Sequence, residues 1–294
     1  MPVRIDSPYD QNSGDWLKGN LHAHTTHSDG AQSPEELLSI YQRLGYDWIC
    51  ISDHDTVTPR PDRRPEGLAF LSGNEVTARG PHLLHIGASD LVAPDPDRPK
   101  VVSEILARNG LCILNHPNWG FEFLHWPQEL LESIPGYHGI EIYNGIVRRL
   151  EGSSLATDRW DRLLSKGKRV WGFANDDAHL ESDCGIAWNV VRCEKGDPGP
   201  IIESLKSGRF YASTGVSLSA LETGGGKIRM ISTNGSCCVV VMDHGVELGR
   251  YPGRSWQFDL ERLAGSWRPS YFRFEILGDS GATAWTQPIF LEWT

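Results

Sequence analysis

The sequence lacks the features that would place the protein in a membrane or an oxidising compartment. No stretch approaches eighteen consecutive apolar residues, and the first ten residues are polar, without the apolar segment of a signal peptide. The six cysteines form no CxxC pair, and Cys50 and Cys112 lie in apolar runs, where a free thiol behaves as a small hydrophobe. We therefore expect a soluble, cytoplasmic protein with no disulfides and no membrane partner.

The sequence also lacks a basic stripe. Its 28 Lys and Arg residues are outnumbered by 38 Asp and Glu residues, which gives a net charge of −10. Non-specific nucleic-acid binders concentrate positive charge on one face, so no nucleic-acid partner is expected. Disorder is excluded as well, because 39% of the 294 residues are hydrophobic and eleven are Trp.

Short apolar runs alternate with helical patterns between about residues 19 and 211. Strands are predicted over 47–52, 69–77, 111–115, 139–143, 169–174 and 186–191. A capping box from Ser33 to Glu36 begins the first predicted helix. Three more helices, each ended by a Gly, are predicted over 100–109, 157–166 and 200–207. This alternation predicts the α/β class with a parallel sheet.

The pattern changes after Thr214. Short β-type runs, separated by turns rich in Gly and Asn, cover 227–232, 236–242, 256–260, 271–277 and 288–293. We predict a C-terminal antiparallel β appendage. The expected division is an α/β domain over 1–214 and a small β-rich, sandwich-like domain over 215–294.

The strongest local motif for chemistry runs from Gly19 to Gly30. His22 and His24 are two residues apart at a predicted strand end, so both imidazoles point the same way and could reach one metal. Asp29 follows in a Ser-Asp-Gly turn and adds an oxygen ligand. Such a ligand set suits Zn, Mn or Fe. The alternative to a metal role is that these residues form an ordinary polar loop after a strand.

Other polar groups follow the predicted strands in the same way. His54 lies in an Asp-His-Asp cluster, where Asp53 and Asp55 could orient imidazoles or cap a helix. Four more metal-type side chains follow later strands: Glu75, His116, Asp177 and His179. Each alone has an ordinary explanation, such as a solvated carboxylate. Their convergence at strand C-termini, where α/β proteins place their sites, predicts a metal centre.

Taken in order, the HxH pair with its Ser-Asp-Gly turn, the DHD cluster, the strand-end Glu, the NHP and the DxH resemble the PHP (polymerase and histidinol phosphatase) phosphoesterase family. The resemblance covers about residues 19 to 211. It implies a distorted (β/α)7 barrel with up to three metal ions at its C-terminal rim. The 207–215 and 284–290 segments, and the 139–145 strand end, further resemble the carbaryl-hydrolase-like branch of that family.

The resemblance assigns ligands to three metals: His22, His24, Glu75 and Asp177 to the first; Glu75, His116 and one His between residues 80 and 90 to the second; Asp29, His54 and His179 to the third. The spacing in the branch favours His82 as the middle ligand. His85 would face the opposite side of a regular strand, or contact substrate. Glu141 is expected to be a structural partner in the barrel, and Asn144 to line the pocket.

The hypothesis is hydrolysis of a small phosphorylated substrate by metal-bound hydroxide, with two or three divalent ions of Zn, Mn or Fe and no Ser or Cys nucleophile. Asp53, His27 or His85 could transfer a proton to the leaving group. Two alternatives stay open: hydrolysis of carboxylic esters or carbamates, and a non-catalytic metal-binding module. The aromatic side chains after His116 are expected to pack against the appendage or line an apolar pocket. His125, His138 and His244 are expected to be structural or exposed.

Overall fold

The computed structural model of the chain describes residues 3–10 and 13–293. The first ten strands are β1 (Val3–Asp6), β2 (Asp15–Asn20), β3 (Trp48–Ile51), β4 (Ala69–Val76), β5 (Leu83–Ile86), β6 (Leu111–Leu114), β7 (Gly139–Asn144), β8 (Trp171–Asn175), β9 (Trp188–Cys193) and β10 (Phe210–Ser213). The helices among them are α1 (Pro34–Arg43), α2 (Arg98–Ala107), α3 (Gln128–Ser133), α4 (Thr157–Ser165) and α5 (Pro198–Lys206). This order confirms the predicted α/β class.

The C-terminal segment is antiparallel β structure, as predicted. Its elements are β11 (Leu218–Gly224), β12 (Lys227–Ser232), β13 (Gly235–Met242), β14 (Val246–Pro252), β15 (Ser255–Asp259), α6 (Leu260–Ala264), β16 (Tyr271–Gly278), β17 (Thr283–Thr286) and β18 (Ile289–Trp293). Strands β11, β12 and β15 form a separate sheet. The other strands continue the α/β sheet, because β17 pairs with β10 and β10 pairs with β9, and β1 pairs with β18 at the outer edge.

The division of the chain into two domains at residue 214 stays a prediction. The end residues of the predicted domains, Met1, Pro2 and Thr294, lie outside the described residues.

The α/β sheet runs in the order β9-β2-β3-β4-β5-β6-β7-β8. The two end strands, β9 and β8, contact each other. The Asn189 side chain on β9 accepts from the Ala174 N–H on β8 (3.1 Å) and donates to the Ala174 carbonyl (2.9 Å). Four pairs of neighbouring strands are parallel, but β5 is antiparallel to β4 and β6. Six residues separate β4 from β5, too few for the crossover that a parallel pair requires.

Both faces of these strands are buried, which explains their continuous apolar runs. On β3, Trp48 and Cys50 pack inside the barrel, whereas Ile49 and Ile51 pack beneath α1. The helix α1 begins with the predicted capping box, in which the Ser33 Oγ accepts from the Glu36 N–H (3.3 Å) and the Glu36 carboxylate accepts from the Ser33 N–H (2.8 Å).

The six cysteines all lie within the described residues and are all free, as the spacing predicts. No helix in residues 3–10 and 13–293 combines the length and the apolar character that crossing a lipid bilayer requires.

Candidate metal centre

The metal-type side chains meet at one rim of the sheet because the strands bring their ends there. His22 and His24 follow β2, and four other predicted ligands end or follow β3, β4, β6 and β8: His54, Glu75, His116 and Asp177. His82 lies at the start of β5. Because β5 runs antiparallel to its neighbours, its N-terminal end lies at the same rim as their C-terminal ends.

The Glu75 carboxylate lies at the centre of the cluster and is 1% exposed. One oxygen, Oε1, has three imidazole nitrogens around it: Nε2 of His22 at 3.3 Å, Nδ1 of His82 at 3.4 Å and Nε2 of His116 at 3.3 Å. The other, Oε2, lies 2.9 Å from His54 Nδ1 and 3.7 Å from His24 Nε2. This carboxylate can therefore bridge two or more cations.

Two further carboxylates complete the arrangement. Asp177 Oδ1 lies 3.2 Å from His22 Nε2 and 3.1 Å from His24 Nε2. Asp29 is half-exposed, and its oxygens lie 3.4 Å from His54 Nε2 and 3.3 Å from His179 Nε2. Among the described residues, the ligand-type atoms form four overlapping groups: His24, Asp29, His54 and His179; His22, His24 and Asp177; His22, Glu75 and His116; and His82, His116 and His125. All nine predicted ligands are in them.

Glu141 on β7 orients this cluster from below. It is 1% exposed, and its Oε1 lies 2.8 Å from Nδ1 of His22. Its Oε2 accepts from the backbone N–H of His116 (2.9 Å) and from the Asn144 amide (2.9 Å). A carboxylate on Nδ1 keeps the proton there, so His22 presents the lone pair of Nε2 to the cluster, as metal-binding histidines do.

The unpaired atoms of the cluster fit a set of cations. Three buried imidazole nitrogens have no hydrogen bond among the described residues: Nε2 of His22 and Nδ1 of His24 and His116. His22 Nε2 faces carboxylate oxygens of Glu75 and Asp177 at 3.2–3.3 Å, so positive charge is needed between them, either from a bound cation or from a proton on the imidazole. The donor set, imidazole and carboxylate, suits Zn, Mn or Fe.

The pKa values express the same electrostatics. Burial alone would lower the pKa of His22, but the carboxylates of Asp177, Glu75 and Glu141 hold it well above its usual value. Burial alone would raise the pKa of Glu75 and of Asp177, yet the surrounding imidazoles hold both well below the usual range. The site therefore favours ionised carboxylates and a compensating positive charge.

Asp53 is buried and is not among the residues that line the pocket beside the metal-type side chains. Its buried carboxylate accepts hydrogen bonds from the Thr25 N–H (2.7 Å) and the hydroxyls of Thr25 (2.7 Å), Ser28 (2.7 Å) and Thr58. Burial raises its pKa, but these bonds outweigh that effect and lower it. His27 is exposed, and its Nδ1 lies 3.1 Å from the Thr58 hydroxyl, outside the pocket lining. Asp53 fixes the loop that carries His24 and Asp29.

His85 is not brought to the cluster. It pairs with Asn74 across β4 and β5, whereas Glu75 pairs with Leu84, so His85 and Glu75 point to opposite faces of the sheet. The imidazole is 0% exposed and neither nitrogen has a hydrogen bond among the described residues. From this position the His85 imidazole does not face the metal-type side chains. His82 is the histidine of this segment that lies beside Glu75.

His125 is the residue that the sequence analysis missed. It was expected to be structural or exposed, but its ring lies 4.7 Å from the rings of both His82 and His116, and 4.9 Å from Trp119. Burial lowers its pKa to about 2. The only signal in the sequence was its position in the aromatic segment that follows the His116 strand end.

A pocket of about 190 Å³ opens onto the cluster. Its lining combines metal-type side chains with four apolar residues: Trp119, Ile146, Val147 and Leu150. Of the eleven described residues that line the pocket, none is Lys or Arg. Arg149, which follows β7, pairs with Asp183 through two hydrogen bonds of 3.1 and 2.8 Å.

No protein-family model matches the chain. No curated protein matches it either. Solved structures do match, among them a two-domain protein from Bacteroides vulgatus that contains a predicted PHP-like metal-dependent phosphoesterase. The superposition covers 98% of this chain and 99% of that one, with a TM-score of 0.56 at 17% identity. The chain shares the fold of this PHP-like protein.

Two other solved structures are similar over a smaller part of the chain. One is an amidohydrolase from Chromobacterium violaceum, with 15% identity over 65% of this chain and 96% of that one, and a TM-score of 0.40. The other is PsfC from Pseudomonas syringae, with 12% identity over 66% of this chain and 87% of that one, and a TM-score of 0.46. The PHP-like fold that the motifs imply is confirmed by the Bacteroides vulgatus structure, whereas the carbaryl-hydrolase-like branch stays a prediction.

Proposed function

We propose that the protein is a metal-dependent phosphoesterase of the cytoplasm that hydrolyses a small phosphorylated molecule with two or three divalent ions of Zn, Mn or Fe. The observation that carries the proposal is the convergence of nine metal-type side chains, with Glu75 at their centre, at one rim of a PHP-like fold. Buried imidazole nitrogens beside ionised carboxylates support the proposal, because this donor set fits bound cations.

The ligand groups suggest how the ions would be shared. His22, His24 and Asp177 would hold one ion, with Glu75 bridging to a second ion on His82 and His116; Asp29, His54 and His179 would hold a third. When bound, such ions activate water and neutralise the charge that develops on phosphoryl oxygens. The chain itself supplies orientation, through Glu141 and Asn144, and apolar lining residues that exclude water from part of the pocket.

A second candidate function is hydrolysis of a carboxylic ester or carbamate at the same site. The composition of the pocket favours it, because four of its lining residues are apolar and none of the described lining residues is Lys or Arg. A dianionic phosphate would rely on the metal ions alone for charge compensation there. An uncharged ester would need none and would gain from burial against Trp119.

The test is a parallel assay of the protein purified without chelator and supplied with Mn or Zn. The substrates are para-nitrophenyl phosphate, bis-para-nitrophenyl phosphate and para-nitrophenyl acetate. The His22→Ala/His24→Ala variant is the blank, and His244→Asn, at an exposed histidine outside every metal-type group, is the matched control. We expect metal-dependent release from a phosphate, lost only in the blank.

Release from the acetate alone would replace the phosphoesterase proposal with the ester and carbamate one. Tightly bound metal with no turnover of any of the three substrates would argue against both. A wild-type protein that binds no metal under any of these conditions would remove the basis of the proposal.

A further inference from the structure

The two peptide groups of His82 are held by neighbouring side chains. Its backbone N–H donates to Nε2 of His125 at 2.9 Å, and its carbonyl accepts from Nε1 of Trp126 at 2.9 Å. The same carbonyl also accepts from the N–H of Asn115 at 3.1 Å. The consecutive residues His125 and Trp126 thus hold the N–H and the C=O of His82 through their side chains.

The hydrogen bond from the His82 N–H determines which nitrogen of His125 carries the proton, and whether either nitrogen could bind a metal. A neutral imidazole has one nitrogen that accepts and one that carries the proton. Since Nε2 of His125 accepts from a backbone N–H, its proton is on Nδ1 and neither nitrogen has a lone pair left for a metal. The group formed by His82, His116 and His125 therefore contains two ligands and one orienting side chain, although the three lie close enough to hold an ion.

His82 needs such support more than a fully buried ligand such as His22 does. It is 20% exposed in its side chain and precedes the four-residue strand β5, whereas His22 is held by Glu141 and is fully buried. The supporting dipeptide is itself fixed. Trp126 is 0% exposed in the main core, and the loop before it is held by Arg159, which donates to the Phe123 carbonyl at 2.8 Å.

We propose that His125 and Trp126 are positioning residues for His82, and that they set the affinity of the one metal ion that His82 shares with Glu75 and His116. The inference rests on the metal centre of the proposed function, but it does not depend on the bond that is hydrolysed. Side chains that orient a ligand in this way change metal affinity by about 10–100-fold when they are removed.

The experiment compares His125→Leu with His125→Gln in the full-length protein. Leucine removes the acceptor, while the carbonyl oxygen of glutamine can still accept from the His82 N–H. The matched control is His138→Leu, which removes a similar bond, from the Cys112 N–H to His138 Nδ1 (3.1 Å). His138 directly precedes β7, at the end of that strand opposite the metal-type side chains. Zn affinity and stoichiometry are measured by chelator competition, and X-ray absorption counts the imidazoles on Zn.

We expect His125→Leu to weaken one ion by about 10–100-fold and to leave the others unchanged. His125→Gln and His138→Leu should stay close to the wild type, and the imidazole count should not fall in the Gln variant. If the Leu variant does not fold, Trp126→Phe, which removes the Nε1–H donor, makes the same comparison.

Unchanged affinity in His125→Leu would overturn the proposal. So would the loss of one imidazole from Zn in both His125 variants, because His125 would then be a ligand. A wild-type protein that shows this affinity pattern but hydrolyses none of the substrates would support the positioning role and contradict the phosphoesterase proposal. A wild-type protein without bound metal would contradict both.

Discussion

The Oε1 atom of Glu141 lies 2.8 Å from Nδ1 of His22, on the side of the imidazole that faces away from the cluster. This contact makes Nε2 the nitrogen that is available to a metal. The same carboxylate accepts from the His116 N–H, so it orients two ligands that the chain separates by 94 positions.

Glu141→Gln should therefore weaken metal binding by about 10–100-fold. The amide has one acceptor oxygen, and its NH₂ group would face the donors that Glu141 now satisfies: the His22 imidazole, the His116 N–H and the Asn144 and Asn175 amides. Chelator competition measures the change. Glu132→Gln, which alters an exposed pair with Lys166, is the control and should leave the affinity as it is. Equal affinities in the two variants would show that Glu141 does not orient the ligands.

Asp53→Asn should lower stability by about 1–3 kcal/mol, because the amide nitrogen would meet hydroxyl and N–H donors inside a buried site. If Asp53 only fixes the loop, the pH dependence of kcat should keep its shape in this variant while the midpoint of urea unfolding falls. Loss of one limb of the pH profile would instead restore Asp53 as a proton-transfer group.

His85 should make the protein less stable in acid. Burial, and then the charge of Arg108, lower its pKa to about 4, while Asp90 opposes this. The unfolded chain, with the usual pKa of about 6.5, binds a proton first as the pH falls. The native state therefore loses stability between about pH 6.5 and pH 4, and no effect is expected above that window.

The size of this effect is at most about 3 kcal/mol at the acid end of the window, from about 1.4 kcal/mol per pKa unit. Urea unfolding at pH 5 and pH 8, with chelator in both, should show a smaller acid loss in His85→Leu than in the wild type. Parallel losses in the two proteins would mean that other groups cause the acid sensitivity. The chelator keeps metal release from contributing to the difference.

The buried Asp161–Arg273 pair connects α4 to β16 and should be important for stability. Arg273 donates to the two carboxylate oxygens at 2.7 and 2.6 Å, and the Tyr271 hydroxyl donates to the same carboxylate at 2.8 Å. Removing one partner leaves a buried charge unpaired, so Arg273→Met should cost about 3–5 kcal/mol. Asp161→Leu combined with Arg273→Met should recover part of that loss.

Chemical unfolding measures these effects, and the exposed pair of Arg250 with Glu247 provides the reference. Arg250→Met should change stability by less than about 1 kcal/mol, because water screens that pair. A cost for Arg273→Met in this same small range would show that the link between α4 and β16 contributes little.

Most of the candidate site could be predicted because its ligands are attached to strand ends. The apolar runs before His54, Glu75 and His116 predict the strands, and parallel strands bring their C-termini to one rim. The period of two residues along a strand also separates His82 from His85, since only one of them can share the face of Glu75. These relations are local, and local spacing determines them.

Other features were decided only by the tertiary structure. His125 reaches the cluster from a loop whose path depends on Arg159 and on the burial of Trp126, and no spacing rule encodes such a path. The antiparallel direction of β5 follows from a short connection, and the C-terminal strands join the α/β sheet through the β10–β17 pair.

The sequence by itself therefore determined the fold class and the identity of the metal-type side chains, because hydrophobic periodicity and motif spacing are properties of short segments. The tertiary structure decided which groups orient those side chains and which apolar residues line the pocket. Contacts between segments distant in the chain bring Glu141 to His22 and His125 to His82, and they bring Trp119 and Leu150 to one pocket. Such contacts depend on how the whole core packs, which no single segment specifies.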